Sequence, residues 1–258
     1  MSKIAVFDSG FGSLSIINAI HKVCKANIIY FADQKNFPYG TKSIHQLNQV
    51  INNTIKNLRQ QFKPDIIVMA SNTPSLLLSH LFANDDTLIG VYPPLKEAER
   101  LTKSKSIGIL ATRSVVRSKA LSNYIQRSIS TDTQVTKIDA THLVQLVENA
   151  KFISDRKYCV KKINSVLNKK ILSKKIDVVT LSSTHLPFLI PLLEENFPNV
   201  KFLDPAEHVA KAVVSHKNFV NEKRNSLRVF SSGDTKKFQK YLQTIGITAQ
   251  VENLSFEL

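Results

Sequence analysis

The sequence predicts an α/β fold in which two related halves, each with a mainly parallel sheet, face each other across a crevice. Short apolar runs alternate with amphipathic helical patterns throughout the 258 residues, as in βαβ units. The runs are too uniformly apolar for an antiparallel sheet with one solvated face. Two runs, IIVMASNTPS (66–75) and IDVVTLSSTHLP (176–187), end in nearly the same way 112 residues apart, and KIAVFDSG (3–10) is echoed about 103 residues later by KSIGILAT. These similar offsets indicate that the two halves are related.

Nine strands are predicted along the chain. They are KIAVF (3–7), NIIYFA (27–32), DIIVMA (65–70), LIGV (88–91), KSIGILA (105–111), QVTKID (134–139), IDVVTL (176–181), VKFL (200–203) and LRVFS (227–231). The clearest helix runs from about Ser43 to Phe62, because apolar residues recur there at steps of three and four. Ser43 and Gln46 predict a capping box at its start.

Polar residues directly follow several of these strands. They are Asp8 and Ser9, Ser71 to Thr73, Thr112, and Ser183 to His185. In open α/β sheets, ligands gather at the carboxyl ends of the strands. We therefore expect these side chains to project toward one crevice.

The bulk composition is that of an ordinary globular protein, with 43% hydrophobic residues and a mean hydropathy near zero. No apolar run is long enough to cross a bilayer, and the amino terminus does not read as a signal peptide. We therefore expect a cytoplasmic protein without a membrane partner. Cys24 and Cys159 fall within helical patterns and outside any metal-ligand spacing, so both are expected to be packed thiols.

The formal net charge of +15 raises the question of a nucleic-acid partner. The lysines are spread over many segments, however. The densest segment, residues 157–175, interleaves them with a helical apolar stripe, which favours a solvated helix face over a phosphate-binding surface. A nucleic acid is therefore not the predicted partner, and attraction of small anionic substrates would be a modest by-product.

The segment DSGFGSLS (8–15) partly fits the dinucleotide fingerprint GxGxxG. Gly10 and Gly12 fit its first two glycines, Ser15 replaces the third, and Asp33 lies at about the right distance to touch a ribose. Asp8, however, sits where a pyrophosphate would approach. The alternative is a tight turn from strand to helix, which needs the glycines whichever ligand binds.

The loop NFPYGTKS (36–43) places Tyr39 and Gly40 just before a helix start, where free amides can bind a carboxylate or a phosphate. The same loop could equally be a connection with good capping chemistry. It is not a P-loop, because the upstream glycine and the GK order are missing.

The SNTP and SSTH segments cluster hydroxyl and amide groups that could hold a carboxylate. A serine or threonine there could instead cap a helix, and His185 could be either a general acid or a structural donor. The nucleophile-elbow pattern GxSxG is absent, which leaves a serine hydrolase as a minor interpretation. The histidines show no HExxH or similar spacing, so no metal site is expected.

Six segments, taken in order, resemble the glutamate racemases of the aspartate and glutamate racemase family. They are FDSGFGSLS (7–15), PYGTKS (38–43), SNTPS (71–75), GVYPPLK (90–96), IGILATRSVVRS (107–118) and STHLPFLIPLL (183–193), followed by a late LDPAEHVA and SSGDTKKFQ. The resemblance implies two α/β domains related by a pseudo-twofold axis, with an amino acid held between them. The first domain would comprise residues 1–96 with 208–258, and the second residues 97–207.

The resemblance also implies cofactor-free racemisation, in which one thiolate removes the α-proton and a thiol on the opposite face returns one. In this chain Ser71 and Ser183 stand at the positions of those thiols. Asp8 and His185 would assist the two proton-transfer groups, and Glu148 is a candidate supporting acid. The residues implied in binding the ammonium and carboxylates are Ser9, Tyr39, Gly40, Asn72, Thr73 and Thr184.

The two serines make this chemistry difficult. Ionising an alcohol instead of a thiol costs roughly seven pKa units, or about 10 kcal/mol. Three accounts stay open: deliberate replacement of two cysteines, loss of activity with retained ligand binding, or a less demanding reaction on a carboxylate. Ser182 in place of the family's usual glycine, and Val115 in place of a carboxylate-binding threonine, favour natural divergence.

The predicted function is that of a glutamate-racemase-like, cofactor-independent amino-acid isomerase whose activity in this Ser71/Ser183 form is in question. The alternative is a non-catalytic binder or regulator of small amino acids or dicarboxylates. The expected partner is accordingly a small amino acid or dicarboxylate, and formation of a homodimer stays open.

Overall fold

The computed structural model describes residues 2–256, which divide into two compact units. Unit 1 comprises Met1–Val91 and Ala206–Leu258, and unit 2 comprises Tyr92–Pro205. Unit 2 is therefore inserted into the chain of unit 1. The exact domain boundaries given in the sequence analysis, 1–96 with 208–258 and 97–207, stay a prediction.

Strands and helices alternate along most of the chain. The strands are β1 (Lys3–Asp8), β2 (Asn27–Ala32), β3 (Ile66–Met69), β4 (Leu88–Gly90), β5 (Ser106–Ala111), β6 (Gln134–Asp139), β7 (Val178–Ser182), β8 (Lys201–Leu203), β9 (Ser226–Ser231) and β10 (Val251–Asn253). The helices are α1 (Leu14–Val23), α2 (Ile44–Phe62), α3 (Asn72–Leu77), α4 (His80–Ala83), α5 (Leu95–Leu101), α6 (Arg113–Val116), α7 (Lys119–Ser128), α8 (Thr141–Glu148), α9 (Lys151–Ser154), α10 (Arg156–Lys174), α11 (Ile190–Asn196), α12 (Ala206–Val214) and α13 (Thr235–Thr244).

Each unit contains one parallel sheet. In unit 1 the strand order is β10-β9-β2-β1-β3-β4, and in unit 2 it is β6-β5-β7-β8. All the pairings in both sheets are parallel. The order β2-β1-β3-β4 thus recurs in unit 2 as β6-β5-β7-β8. The predicted α/β class with two mainly parallel sheets is confirmed.

The helix predicted from Ser43 to Phe62 is confirmed as α2. The Ser43 hydroxyl accepts a hydrogen bond from the Gln46 amide, and the Gln46 side chain accepts one from the Ser43 amide. This capping box satisfies two amides at the helix start. The helix ends where Lys63 adopts a left-handed backbone conformation, directly before Pro64.

The cores lie where strands and helices pack together inside each unit. In unit 2 the cluster includes Cys159, Ile163 and Leu167 of α10, so this face of the lysine-rich helix is buried as predicted. The packed-thiol prediction holds for Cys159 and is wrong for Cys24, which is only half-buried. Cys24 follows the last residue of α1 as its C-cap, where the backbone becomes extended, and its thiol donates to the Ile20 carbonyl oxygen at 3.3 Å.

Between residues 2 and 256, no helix is both long and apolar enough to span a membrane.

Candidate functional site

The loop after β1 begins with a buried carboxylate. Asp8 is the last residue of β1 and is 1% exposed. Its Oδ1 accepts a hydrogen bond from the Ser9 amide at 2.7 Å. Tyr30 of β2 donates its hydroxyl proton to the Gly10 carbonyl oxygen at 2.7 Å. These contacts hold the loop in the tight turn from strand to helix that the sequence predicted.

A second buried carboxylate, Asp33, follows β2. It accepts hydrogen bonds from the Asn36 side-chain amide at 3.0 Å, the Tyr39 hydroxyl at 3.0 Å and the Ser232 hydroxyl at 3.3 Å. Burial raises the pKa of Asp33, and the three donors partly offset that rise. Burial, together with the negative charges of Asp33 and Asp8, raises the pKa of Tyr39 well above its usual value, so this phenol stays a proton donor.

These contacts count against a dinucleotide site. In that interpretation Asp33 would reach a ribose, but its carboxylate is buried and satisfied by three side chains of unit 1. The sequence could not show this, because Ser232 lies 199 residues away along the chain.

The loop 36–43 has the capping chemistry that one of its two interpretations predicts. Tyr39 and Gly40 lie in a 3-10 turn, Tyr39–Thr41, and Ser43 then caps α2. Tyr39 is buried and directs its hydroxyl to Asp33, while Gly40 is half-buried. The capping box engages the amides of Ser43 and Gln46, and the Gly40 amide is not part of it.

Ser71 lies at the N-cap position of α3, but its hydroxyl makes no capping hydrogen bond. Ser71 is 9% exposed, and no residue from 2 to 256 forms a hydrogen bond with its hydroxyl. The interpretation of Ser71 as a side-chain helix cap is therefore wrong. The Ser71 carbonyl oxygen, by contrast, accepts a hydrogen bond from the Ser75 hydroxyl at 2.7 Å.

Ser75 and Asn72 tie α3 to the end of β4. The Ser75 hydroxyl accepts a hydrogen bond from the Val91 amide at 2.9 Å, and the Asn72 side-chain amide donates to the Val91 carbonyl oxygen at 3.1 Å. The other amide atom of Asn72, Oδ1, is buried and has no hydrogen-bond partner among residues 2–256. A buried acceptor in this state is costly unless a ligand donor reaches it. Thr73, next to Asn72, is 6% exposed.

In unit 2 the corresponding strand ends carry hydroxyls and an imidazole. Ser182 ends β7, and its hydroxyl lies 3.2 Å from that of Thr180. Ser183 follows and is 7% exposed, and no hydrogen bond to its hydroxyl is formed within the described chain. Thr184 is 2% exposed. Val115, at the position where the resemblance implied a threonine, is fully buried.

His185 and Glu148 form a buried pair. His185 Nε2 lies 2.8 Å from Glu148 Oε2, and the two side chains are 6% and 15% exposed. Glu148 is the last residue of α8, so the helix positions its carboxylate against the loop after β7. A carboxylate in this geometry fixes the orientation and tautomer of an imidazole.

Each sheet thus collects its candidate residues at one edge. In unit 1, β2, β1 and β3 are neighbours, so the loops with Asp33, Asp8 and Ser71 leave the same edge. In unit 2, β5 and β7 are neighbours, so Thr112 and Ser183 also leave one edge. Among residues 2–256 there is no group of three or more His, Cys, Asp or Glu side chains that could hold a metal ion.

Parallel sheets with polar loops at their carboxyl edges define a small-molecule-binding α/β protein. No protein-family model matches the chain. The glutamate racemase of Thermoanaerobacter pseudethanolicus is 30% identical over 258 residues, covering 97% of this chain and 95% of that protein. The glutamate racemase of Granulibacter bethesdensis is 34% identical over 212 residues, covering 81% of this chain and 76% of that protein.

A solved structure of Escherichia coli glutamate racemase, in complex with L-glutamate and the activator UDP-MurNAc-ala, covers all of this chain and 99% of that one, with a TM-score of 0.86 and 25% identity. The chain belongs to the glutamate racemase family. The resemblance drawn from the six sequence segments is confirmed.

Proposed function

We propose that this protein is a racemase-like, cofactor-independent amino-acid isomerase in which Ser71 and Ser183 stand at the two proton-transfer positions. The observation that carries the proposal is the state of these two serines. Each follows an interior strand of its sheet, β3 or β7, and each hydroxyl is unengaged by residues 2–256. Structural serines nearby, such as Ser75, use their hydroxyls fully.

The substrate is proposed to be a small amino acid or dicarboxylate. The buried, unpartnered Oδ1 of Asn72 is suited to accept a hydrogen bond from a substrate ammonium group. The remaining binding groups would be Ser9, Tyr39, Gly40, Thr73 and Thr184. The relatives are glutamate racemases, and the Escherichia coli enzyme was solved with L-glutamate, which supports an acidic amino acid. The buried Val115 cannot supply a hydroxyl to a substrate carboxylate, so these observations do not identify which amino acid is the preferred substrate.

The proton chemistry would be asymmetric. By the family pattern, the assisting groups would be the buried Asp8 carboxylate and the His185 imidazole, and only the imidazole has a carboxylate partner, Glu148, at 2.8 Å. Removing an α-proton needs a base with a pKa near the operating pH. Forming an alkoxide costs about 10 kcal/mol more than forming a thiolate, so we expect the native chain to exchange α-protons slowly or through Asp8 and His185 alone.

A second function is favoured by the same observation. If the serines perform no proton transfer, the unengaged Ser71 hydroxyl and the unpartnered Asn72 Oδ1 are still available to a ligand, and the protein would be a binder or regulator of small amino acids or dicarboxylates. This account predicts thermal stabilisation by ligand without turnover.

A cytoplasmic location and a homodimer stay predictions, and sedimentation analysis would decide whether the homodimer forms.

The test restores the thiols. We expect the Ser71→Cys, Ser183→Cys double variant to exchange the α-proton of D- or L-glutamate or aspartate for deuterium at least about a hundredfold faster than the native chain, because far less energy is needed to form the base. Proton NMR in D2O measures the exchange for each enantiomer separately.

The single variants are the matched controls. In a two-base mechanism each thiol removes the proton of one enantiomer, so Ser71→Cys and Ser183→Cys alone should each accelerate exchange of a different enantiomer. If the double variant binds ligand in a thermal-shift assay but exchanges nothing, the isomerase proposal fails and the binder remains. If no amino acid or dicarboxylate binds any variant, both fail.

A further inference from the structure

A small cavity opens in unit 2 between α8 and α10, and none of the residues assigned above is in its lining, although Asn149 directly follows Glu148. Its volume is about 150 Å³. The lining residues are His142, Gln145, Leu146, Asn149, Lys151, Tyr158 and Lys162. Every charged group in this lining is a potential cation, the rest being carboxamides, a phenol and one leucine. This set of donors without a carboxylate matches an anion.

The segment that forms one wall of the cavity is unusually basic. Residues 151–175 contain eight lysines, one arginine and one aspartate, a net charge of +8 within a chain of net +15. Arg156 is paired with Glu195. Lys151 and Lys162 form no ion pair with any carboxylate of residues 2–256. Their charge is therefore available to a ligand.

The cavity wall is held in place without a ligand. The Lys162 ammonium lies 5.3 Å from the centre of the Tyr158 ring, a cation–π contact one helical turn apart. Ala150 between α8 and α9 adopts a left-handed backbone with φ of 53°, an unfavourable conformation for alanine. This turn positions its two neighbours, Asn149 and Lys151, in the same cavity lining.

We propose that this cavity is a binding site for a phosphate group. Ligand sites for drug-sized molecules span roughly 300 to 1,000 Å³. At about 150 Å³ the cavity takes the phosphate of a small metabolite or inorganic phosphate, not a whole nucleotide. The solvated-face prediction then applies to the outer lysines of α10, such as Lys169, and not to Lys162.

The experiment titrates inorganic phosphate and pyrophosphate into the full-length protein by isothermal calorimetry at constant ionic strength set with chloride. Saturable binding is expected. The Lys151→Gln, Lys162→Gln double variant should bind at least about tenfold more weakly, because two charge-assisted contacts are lost. The matched control, Lys169→Gln with Lys170→Gln, removes the same charge from α10 outside the cavity and should change affinity less than about twofold.

Absence of saturable binding by the native protein would overturn the proposal. Equal weakening in both double variants would also overturn it, because the attraction would then be general electrostatics and not a site. A duplex DNA oligonucleotide serves as the polyanion control. If DNA alone binds, and both variants weaken it equally, the basic segment is a nonspecific polyanion surface. Circular dichroism of the variants confirms that each is folded.

Discussion

The two units share a strand order but surround their strand ends with different chemistry. Unit 1 places two buried carboxylates, Asp8 and Asp33, at the carboxyl edge of its sheet, and three side chains donate to Asp33. Unit 2 places an imidazole, His185, against the Glu148 carboxylate. Ionised carboxylates only accept protons, whereas an imidazole can accept or donate one near neutral pH. A repeated strand order therefore does not require the same proton donors and acceptors at the strand ends. For this reason the positions of Ser71 and Ser183 are not chemically equivalent.

The largest expected effect concerns the carboxylate network of unit 1. Tyr39→Phe removes one donor from the buried Asp33 carboxylate, and we expect a loss of about 1.5 to 3 kcal/mol in the free energy of unfolding of unit 1. Urea denaturation followed by fluorescence or circular dichroism measures it. Tyr124→Phe is the matched control in unit 2, because its hydroxyl donates to the neutral Pro93 carbonyl and should cost only about 0.5 to 1.5 kcal/mol. Equal losses in the two variants would contradict the claim that the hydrogen bond to the Asp33 carboxylate is stronger than the one to the neutral Pro93 carbonyl.

The next largest effect distinguishes a serine whose hydroxyl is hydrogen-bonded, Ser75, from one whose hydroxyl is not, Ser71. Ser75→Ala leaves the buried Val91 amide without its acceptor, so we expect a loss of about 1 to 2 kcal/mol. Ser71→Ala, in the same loop and helix start, should stay within about 0.5 kcal/mol of the native protein, because its hydroxyl makes no hydrogen bond there. Chemical denaturation at one pH suffices. A large loss for Ser71→Ala would show that the hydroxyl is structural.

The smallest effect is a pH dependence. Because burial raises the native pKa of Asp33, the folded state holds this proton more tightly than the unfolded chain does. The ionised carboxylate therefore lowers stability at neutral pH, and that cost is relieved as the pH falls through the raised pKa. Asp33→Asn cannot titrate, so the native protein should gain stability relative to this variant as the pH falls from 7 toward the ordinary pKa of an aspartate, about 3.9.

Asp85 provides a control of opposite sign. Burial alone would raise its pKa, but hydrogen bonds from Thr87 and Arg59 outweigh burial and lower it. The native protein should accordingly lose stability relative to Asp85→Asn as the pH falls through this lowered pKa. Denaturation series over the same pH range should give a stability difference between native protein and variant that changes in opposite directions for Asp33→Asn and Asp85→Asn. Slopes of the same sign would refute the assignment for Asp33.

Local patterns predicted the strands and the capped helix because burial and capping act over a few residues. All nine predicted strands are present, and α2 begins with the predicted capping box. The strand β10, Val251–Asn253, was missed because a three-residue segment with one apolar side chain carries no alternating pattern. It forms by pairing with β9, which no local signal indicates.

Part of the candidate site could also be predicted from local patterns along the chain. Asp8, Ser71 and His185 stand at a strand end or within three residues after it, so their place at the carboxyl edge of a sheet could be predicted. The contact of Asp33 with Ser232 could not, because it depends on β2 pairing with β9, which sets Ala32 beside Ser231. Knowledge of that register would have placed the next residues, Asp33 and Ser232, side by side. The left-handed Ala150 beside the phosphate cavity likewise has no sequence signature.

The insertion of unit 2 within unit 1 has a consequence during synthesis on the ribosome. Residues 92–205 emerge as one uninterrupted stretch and can complete their sheet while later residues are still being made. The β2 edge of the other sheet must wait for residues 226–231, which leaves a row of unpaired backbone groups open to pairing with a neighbouring nascent chain. Slow translation of residues 206–231 should therefore favour aggregation of this protein more than slow translation of residues 92–205.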